Sequence, residues 1–252
     1  MARIELRDVT IYIQDGLSGS AVLSSNATAN DATINISSVN LNTTDTDLVP
    51  VGARLYLAGE TANTVHTVTA RTPTSNSPTT CVTITPVVGA GSYNSGNSQN
   101  AVTFINQRLE VNVGEGNLTF TESKEYEYLR DRGNLDTVKE GDEQPISVEM
   151  EFVFEYVRSQ SGQDITPVEA IKGINAAAEW VSSSSDLCEP YAVDILLKHC
   201  VPCGTDHDQD ILLPDFRWES LDYDLQAATI SVSGQCNVSN ATVTRSDDSE
   251  CA

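Results

Sequence analysis

The chain is expected to fold as a mainly β protein: a β-sandwich or barrel body with one packed α-helix, and a small all-β domain inserted near the N-terminus. Three observations point there. Residues 146–156 alternate strictly, with Ile146, Val148, Met150, Phe152, Phe154 and Tyr156 on one side and Ser147, Glu149, Glu151, Val153 and Glu155 on the other. That period of two is the pattern of a strand with one buried face. Four short β-like runs lie between residues 32 and 88, ATINISSV (32–39), ARLYLAG (53–59), VHTVTART (65–72) and CVTITPVV (81–88), separated by turn residues, as in a small sandwich or barrel. One segment alone, beginning at Thr166, carries strong helix signals.

Taken in order, residues 2–16 read as a first strand with Ile4, Leu6, Ile11 and Ile13 on its buried side. Residues 17–103 then change character. They are rich in Ser, Thr, Asn and Gly and hold only Arg54 and Arg71 against Asp31, Asp45, Asp47 and Glu60. This stretch is expected to be an inserted domain in a body made of 1–16 and 104–252, projecting outward from it. A structureless loop of that length inside a compact domain would be unusual. The segment AGSYNSGNSQN (90–100) reads as its linker.

The body resumes with Leu109, Val111 and Val113 alternating with polar residues, and Leu118 and Phe120 continue the apolar side beyond Gly114 and Gly116. Residues 122–144 are dense in charge and read as a long hairpin excursion, too polar for a core. At Thr166-Pro167-Val168-Glu169 the sequence has an N-cap Thr, a Pro in the first turn and a Glu three residues after the cap, a capping box with a preset first turn. Val168, Ile171, Ile174, Ala178 and Val181 recur at helical spacing, and the Ser182–Ser185 run is expected to end the helix. Gly173 weakens it by about 1 kcal/mol relative to Ala. Strands are expected at 190–198, 211–223 and 227–238, the last with Ile230, Val232 and Cys236 on its buried side.

The formal net charge is −22, which repels nucleic acid and anionic membrane surfaces. The charge is concentrated outside 17–103, where 12 basic residues stand against 32 acidic ones. No apolar run approaches the length of a membrane span, and MARIELRD is not expected to act as a secretory signal.

Candidates for chemistry are few, and the chain is not expected to be an enzyme, to hold a metal or to need a cofactor. Cys200 and Cys203 form a Cys-x-x-Cys flanked by His199 and His207, with Cys188 upstream. There is no second ligand pair at a finger spacing, so reduced thiols near a strand end are favoured over a disulfide or zinc. Cys81 and Cys236 fall on strands and are expected to be small buried apolar groups; Cys251 is expected to be exposed. Asp206, Asp208 and Asp210 lack the glycine and spacing of a calcium loop, and no G-x-S-x-G nucleophile motif occurs.

Four separated blocks, in order, carry a family resemblance: IELRDVTIYIQDG (4–16), YLRDRGNLDTVKEGDEQPISVEMEF (128–152), EPYAVDI (189–195) and PDFRWESLDYDLQAATISVSGQCN (214–237). Together they resemble the major tail tube proteins of long, non-contractile-tailed, siphovirus-like bacteriophages, over the part of the chain outside residues 17–105. The resemblance implies the tail-tube β-sandwich/barrel fold, with homohexameric rings self-assembling into a hollow stack and inner sheets joined into a continuous barrel. It implies a structural protein of the virion tail, assembled in the host bacterial cytoplasm. Its partners would be further copies of itself, the tape measure protein in the lumen, the tail terminator and tail tip proteins, and DNA that passes through during ejection without specific binding, with no membrane partner.

On that reading Glu149, Glu151 and Glu155 are expected to face the lumen. DNA, a polyanion, is repelled by anionic walls and would stick to cationic ones. Tyr126, Tyr128, Leu129, Arg130, Asp131 and Arg132, in the polar excursion, are expected to form the contact between subunits or rings, because Tyr and Arg are favoured at interface centres. Two other readings stay open. One is a different tail or neck ring component such as a tail terminator. The other is a β-sandwich carbohydrate-binding adhesin, against which the insert's few aromatics, Tyr56 and Tyr93, weigh.

Overall fold

A computed structural model describes residues 9–62, 64–74, 78–91, 93, 100–111, 118–153, 157–158, 164–186, 188–199 and 208–246. The chain is mainly β. Its strands run β1 (Val9–Gln14), β2 (Gly19–Leu23), β3 (Thr33–Leu41), β4 (Arg54–Leu57), β5 (His66–Thr72), β6 (Cys81–Thr85), β7 (Ala101–Ile105), β8 (Arg108–Val111) and β9 (Leu118–Thr121). They continue with β10 (Lys124–Asp131), β11 (Asn134–Glu143), β12 (Ile146–Val153), β13 (Val157–Arg158) and β14 (Asp164–Ile165). Helix α1 (Pro167–Lys172) follows, then β15 (Val193–His199), β16 (Asp208–Asp224), β17 (Thr229–Cys236) and β18 (Thr242–Ser246). The chain divides into two compact units, one of residues 1–13, 110–155 and 192–252 and the other of 14–109 and 156–191.

The first unit is built on one sheet in the order β8-β1-β15-β16-β17-β12-β9, with β18 also pairing with β16; the pairs from β15 to β9 are antiparallel. The alternation expected at 146–156 holds over the described part, Ile146–Val153: Ile146, Val148, Met150 and Phe152 are buried while Ser147 and Glu149 are exposed. Phe154, Glu155 and Tyr156 lie outside the described residues. β17 does the same with Ile230, Val232 and Cys236 buried. β16, at 17 residues, serves two neighbours in succession. Its first part lies between β15 and β18, and its second, from Phe216, pairs with β17. The changeover comes at Pro214 and Asp215. Pro214 offers no N–H to a ladder, and Asp215 takes φ 55° with its own N–H donated to Asp194 Oδ1 at 3.0 Å.

In the second unit, six strands close into a barrel in the order β2-β3-β6-β5-β4-β7, β7 returning to β2. The four short runs read from sequence are β3 to β6 of this barrel. Closure leaves no unpaired strand edge. The interior is filled by the inward residues of each strand, including Leu55, Leu57, Val68, Ile84, Val102 and Phe104, none more than 1% exposed.

The helix departs from its expected length. Its start is as expected: Thr166 Oγ1 accepts from Glu169 N at 3.3 Å, Glu169 Oε2 accepts from Thr166 N at 3.0 Å, and Pro167 occupies the first turn. It ends at Lys172, however, because Gly173 adopts φ 61° and the N–H groups of Gly173 and Ile174 return to Ala170 and Glu169. This is the left-handed cap that glycine favours. The Tyr191 ring packs where a Gly173 Cβ would stand, at 2.8 Å, so no larger residue would fit there. Asn175–Ala177 then form a 3-10 turn, and Ala178 and Val181 lie beyond the helix. Val181 packs instead against the barrel core. The helix belongs to the compact unit that contains the barrel.

Candidate functional site

In the first unit, two surfaces carry the residues singled out from sequence. The first is the outer face of the sheet at β12. Register fixes its composition: Glu151 lies opposite Ser231 of β17, which lies opposite Asp222 of β16, and Glu149 lies opposite Ser233, itself opposite Ser220. The Ser220 and Ser233 hydroxyls meet at 2.9 Å. On its other side Glu149 faces Thr119 of β9. Glu149 and Asp222 are exposed and Glu151 half-buried. Glu151 and Asp222 are two strand spacings apart, roughly 10 Å, and Asp224 follows Asp222 on the same face. The surface is thus a field of carboxylates separated by small hydroxyls, with a shallow depression of about 260 Å³ among them. Glu155 lies outside the described residues.

The second surface is the excursion, which forms an isolated antiparallel hairpin of β10 and β11. Arg132 and Gly133 both take positive φ, 49° and 87°, between the paired Asp131 and Asn134, as the twist of a two-residue hairpin turn requires. Register distributes five of the six expected contact residues over both faces, and Arg132 falls in the turn. Tyr126 pairs with Glu140, Tyr128 with Val138 and Arg130 with Leu135 on one face; Glu127 pairs with Lys139, Leu129 with Thr137 and Asp131 with Asn134 on the other. The first face therefore carries Tyr126, Tyr128, Leu135 and Val138 in a stripe, 48%, 58%, 68% and 53% exposed, with Arg130 and Glu140 beside it. The hairpin makes its contacts mainly with itself. A two-stranded hairpin of this kind is marginally stable alone in water, and covering the stripe would release on the order of 1 kcal/mol per side chain, about half the value for full burial.

Sequence reasoning did not find Leu135 and Val138, which occupy alternate positions in a charged stretch, or Asp222 and Asp224. The alternation of Ser220, Asp222 and Asp224 with Leu221 and Tyr223 is visible in the sequence; that β17 carries Asp222 to the same face as Glu151 is not.

The second unit holds two buried polar clusters and one half-exposed ion pair that no motif announces. Asp15, fully buried, accepts backbone N–H groups from Leu17 at 3.2 Å and Gln107 at 2.6 Å on one oxygen and from Val181 at 3.2 Å on the other. It thereby ties together the two chain ends that enter and leave the barrel and the segment after the helix. His66 and Glu60, both fully buried, meet at 2.8 Å, with His66 Nδ1 2.7 Å from the Pro86 carbonyl and Glu60 Oε1 accepting from Gly89 N at 2.7 Å. Arg71 forks onto both oxygens of Glu179, one contact at 2.9 Å, and donates to the Val49 carbonyl, while Val51 N donates to Glu179 at 2.8 Å. Burial pushes the Glu179 carboxyl up, but the Arg71 and Val51 hydrogen bonds and the Arg71 charge together hold it below the usual carboxylate range.

The three described cysteines, Cys81, Cys188 and Cys236, are free thiols. Cys236 is buried, and burial, followed by the nearby Asp194 and Asp215 carboxylates, pushes its thiol up to about 12, which leaves it inert as a nucleophile at neutral pH. Cys81 is half-buried, less enclosed than expected because it opens β6, and Cys188 is an exposed free thiol. Cys200, Cys203, His207, Asp206 and Cys251 lie outside the described residues; His199 ends β15. Among the described residues no three His, Cys, Asp or Glu side chains converge as a metal would need, and no helix is long and apolar enough to cross a membrane. Comparison with protein-family models, curated proteins and solved structures finds no match to this chain.

Proposed function

We propose that the chain is a structural subunit that self-assembles into hexameric rings stacked as the tail tube of a phage, a conduit with an acidic lumen through which DNA is ejected. The reading starts from the four sequence blocks that resemble major tail tube proteins. The observation that carries it further is the exposed stripe of Tyr126, Tyr128, Leu135 and Val138 on a hairpin that, among the described residues, contacts mainly itself. A soluble monomer gains nothing from such a stripe, whereas an assembly covers it. The sheet face bearing Glu149, Glu151 and Asp222 is the surface assigned to the lumen, and Glu155 is assigned there with them. The tape measure protein would fill that lumen before ejection, and terminator and tip proteins would close the ends. The barrel is assigned to the outside of the tube.

Charge sets a condition on assembly. Six chains of −22 would give a ring of −132, so moderate salt should favour rings by screening charges beyond about 10 Å at about 0.1 M. Negative-stain microscopy of the purified chain across a salt series tests the proposal. Hollow tubes of uniform width are expected. Rings that never stack would favour a terminator-like component, and a monomer under every condition would overturn self-assembly.

A further inference from the structure

A cavity of about 830 Å³ in the second unit lies where the 41–50 segment of the barrel meets residues 178–185. Its size is that of a small-molecule site, and its lining has two textures. Leu41, Leu48, Trp180 and Val181 supply apolar surface, while Ser18, Thr44, Thr46 and Ser185 bring exposed hydroxyls that make no hydrogen bond among the described residues. Thr43, Ser184 and Asn42 do not add to that supply: Thr43 donates to the Asp45 carbonyl, Ser184 donates to Glu189, and Asn42 is engaged with Ser18 N and the Gly16 carbonyl.

Charge narrows the occupant. The three formal charges in the lining are Asp45, Arg71 and Glu179, and the last two neutralise each other through the forked pair. An anionic ligand would meet an unbalanced Asp45 and a guanidinium already occupied by a carboxylate. Trp180, 7% exposed, contributes ring surface to the wall, its indole nitrogen being closed off from the cavity.

We propose that this cavity binds a short neutral saccharide. Sugar rings present C–H faces to apolar walls and a periphery of hydroxyls that both donate and accept, as the Ser and Thr side chains do. The site goes beyond the proposed tube function and does not depend on it: binding at one cavity of a single chain is read without any assembly.

The test uses the full chain with Trp218→Phe, which leaves Trp180 as the sole tryptophan of the two. Its fluorescence is titrated with maltotriose, cellotriose, chitotriose and a trigalacturonate control. At least one neutral trisaccharide is expected to change the emission saturably with a Kd in the millimolar range or tighter, with no response to the anionic trimer. Ala178→Leu, an exposed position at the cavity, should abolish the change while leaving the melting temperature unaltered. No saturable response to any neutral trimer, a response equal for the anionic trimer, or one that survives Ala178→Leu would each overturn the proposal.

Discussion

Asp15 joins chain segments that are remote in sequence, through three backbone N–H groups that all point at its two oxygens. A carboxylate can only accept, so it suits all three. In Asp15→Asn one oxygen becomes an NH₂ that faces a donor, and the unit should lose about 3 kcal/mol, the cost of an unsatisfied buried group with a charge-assisted partner removed. Urea unfolding measures this, and a loss below about 0.5 kcal/mol would mean the three contacts are incidental. Glu179 gives a pH signature. Its folded carboxyl is held below its ordinary value by Arg71 and Val51 despite opposing burial. A depressed acid contributes stability above its unfolded pKa, about 4.3 for Glu, and loses it as the pH falls through the lower folded value. Melting of the wild type should therefore fall on acidification below about pH 4.3, and Glu179→Gln should show a shallower fall. Equal slopes would show that the exposed half of this pair is screened by solvent.

Among the elements, the hairpin and the helix show opposite relations between local pattern and outcome. The hairpin's polarity is plain in its sequence. Its apolar stripe is not, because Leu135 and Val138 join Tyr126 and Tyr128 only once the strands pair in the observed register, with a bulge between Leu129 and Arg130. If that face packs against another copy, Arg130→Glu with Arg132→Glu should block polymerisation and leave a folded monomer. Sedimentation of the double variant beside the wild type decides it, and tubes of equal length from both would remove the hairpin from the contact. For the helix, the capping box predicts the start correctly, while the run of apolar residues at helical spacing past Gly173 misleads. Two positive φ values, at Gly173 and Asn175, break the helix, and Val181 is drawn to the barrel instead.

For the whole molecule, the composition shift at residues 17–103 and the few charges there are the ground for expecting an inserted domain, and the closed barrel occupies the stretch from Gly19 to Ile105. The barrel's compact unit also takes in residues 156–191. Val181 rests on the barrel core, and Glu179 is held by Arg71 and Val51. Replacing residues 20–100 with a short Gly/Ser linker is still expected to leave tube formation intact, since loop closure costs grow slowly with length, but it strips these partners away. Limited proteolysis of the deletion variant should therefore cut within 164–191 much faster than in the wild type. A variant that expresses normally yet forms no tubes would place the barrel in the assembly surface.

By itself the sequence determined what depends on neighbours along the chain: the mainly β class, the four short barrel strands, the two faces of Ile146–Val153, the cap at Thr166 and the exposed hairpin. Each follows from a repeat of two or from turn and cap residues only a few positions apart. Tertiary structure alone decided which distant residues meet. It set Glu151 in one row with Asp222 through Ser231, brought Asp15 to Gln107 and Val181, buried His66 against Glu60, and paired Arg71 with Glu179. These contacts depend on strand register and barrel closure, where shifting a strand by one residue would turn every side chain to the opposite face, and no local pattern records which register is taken.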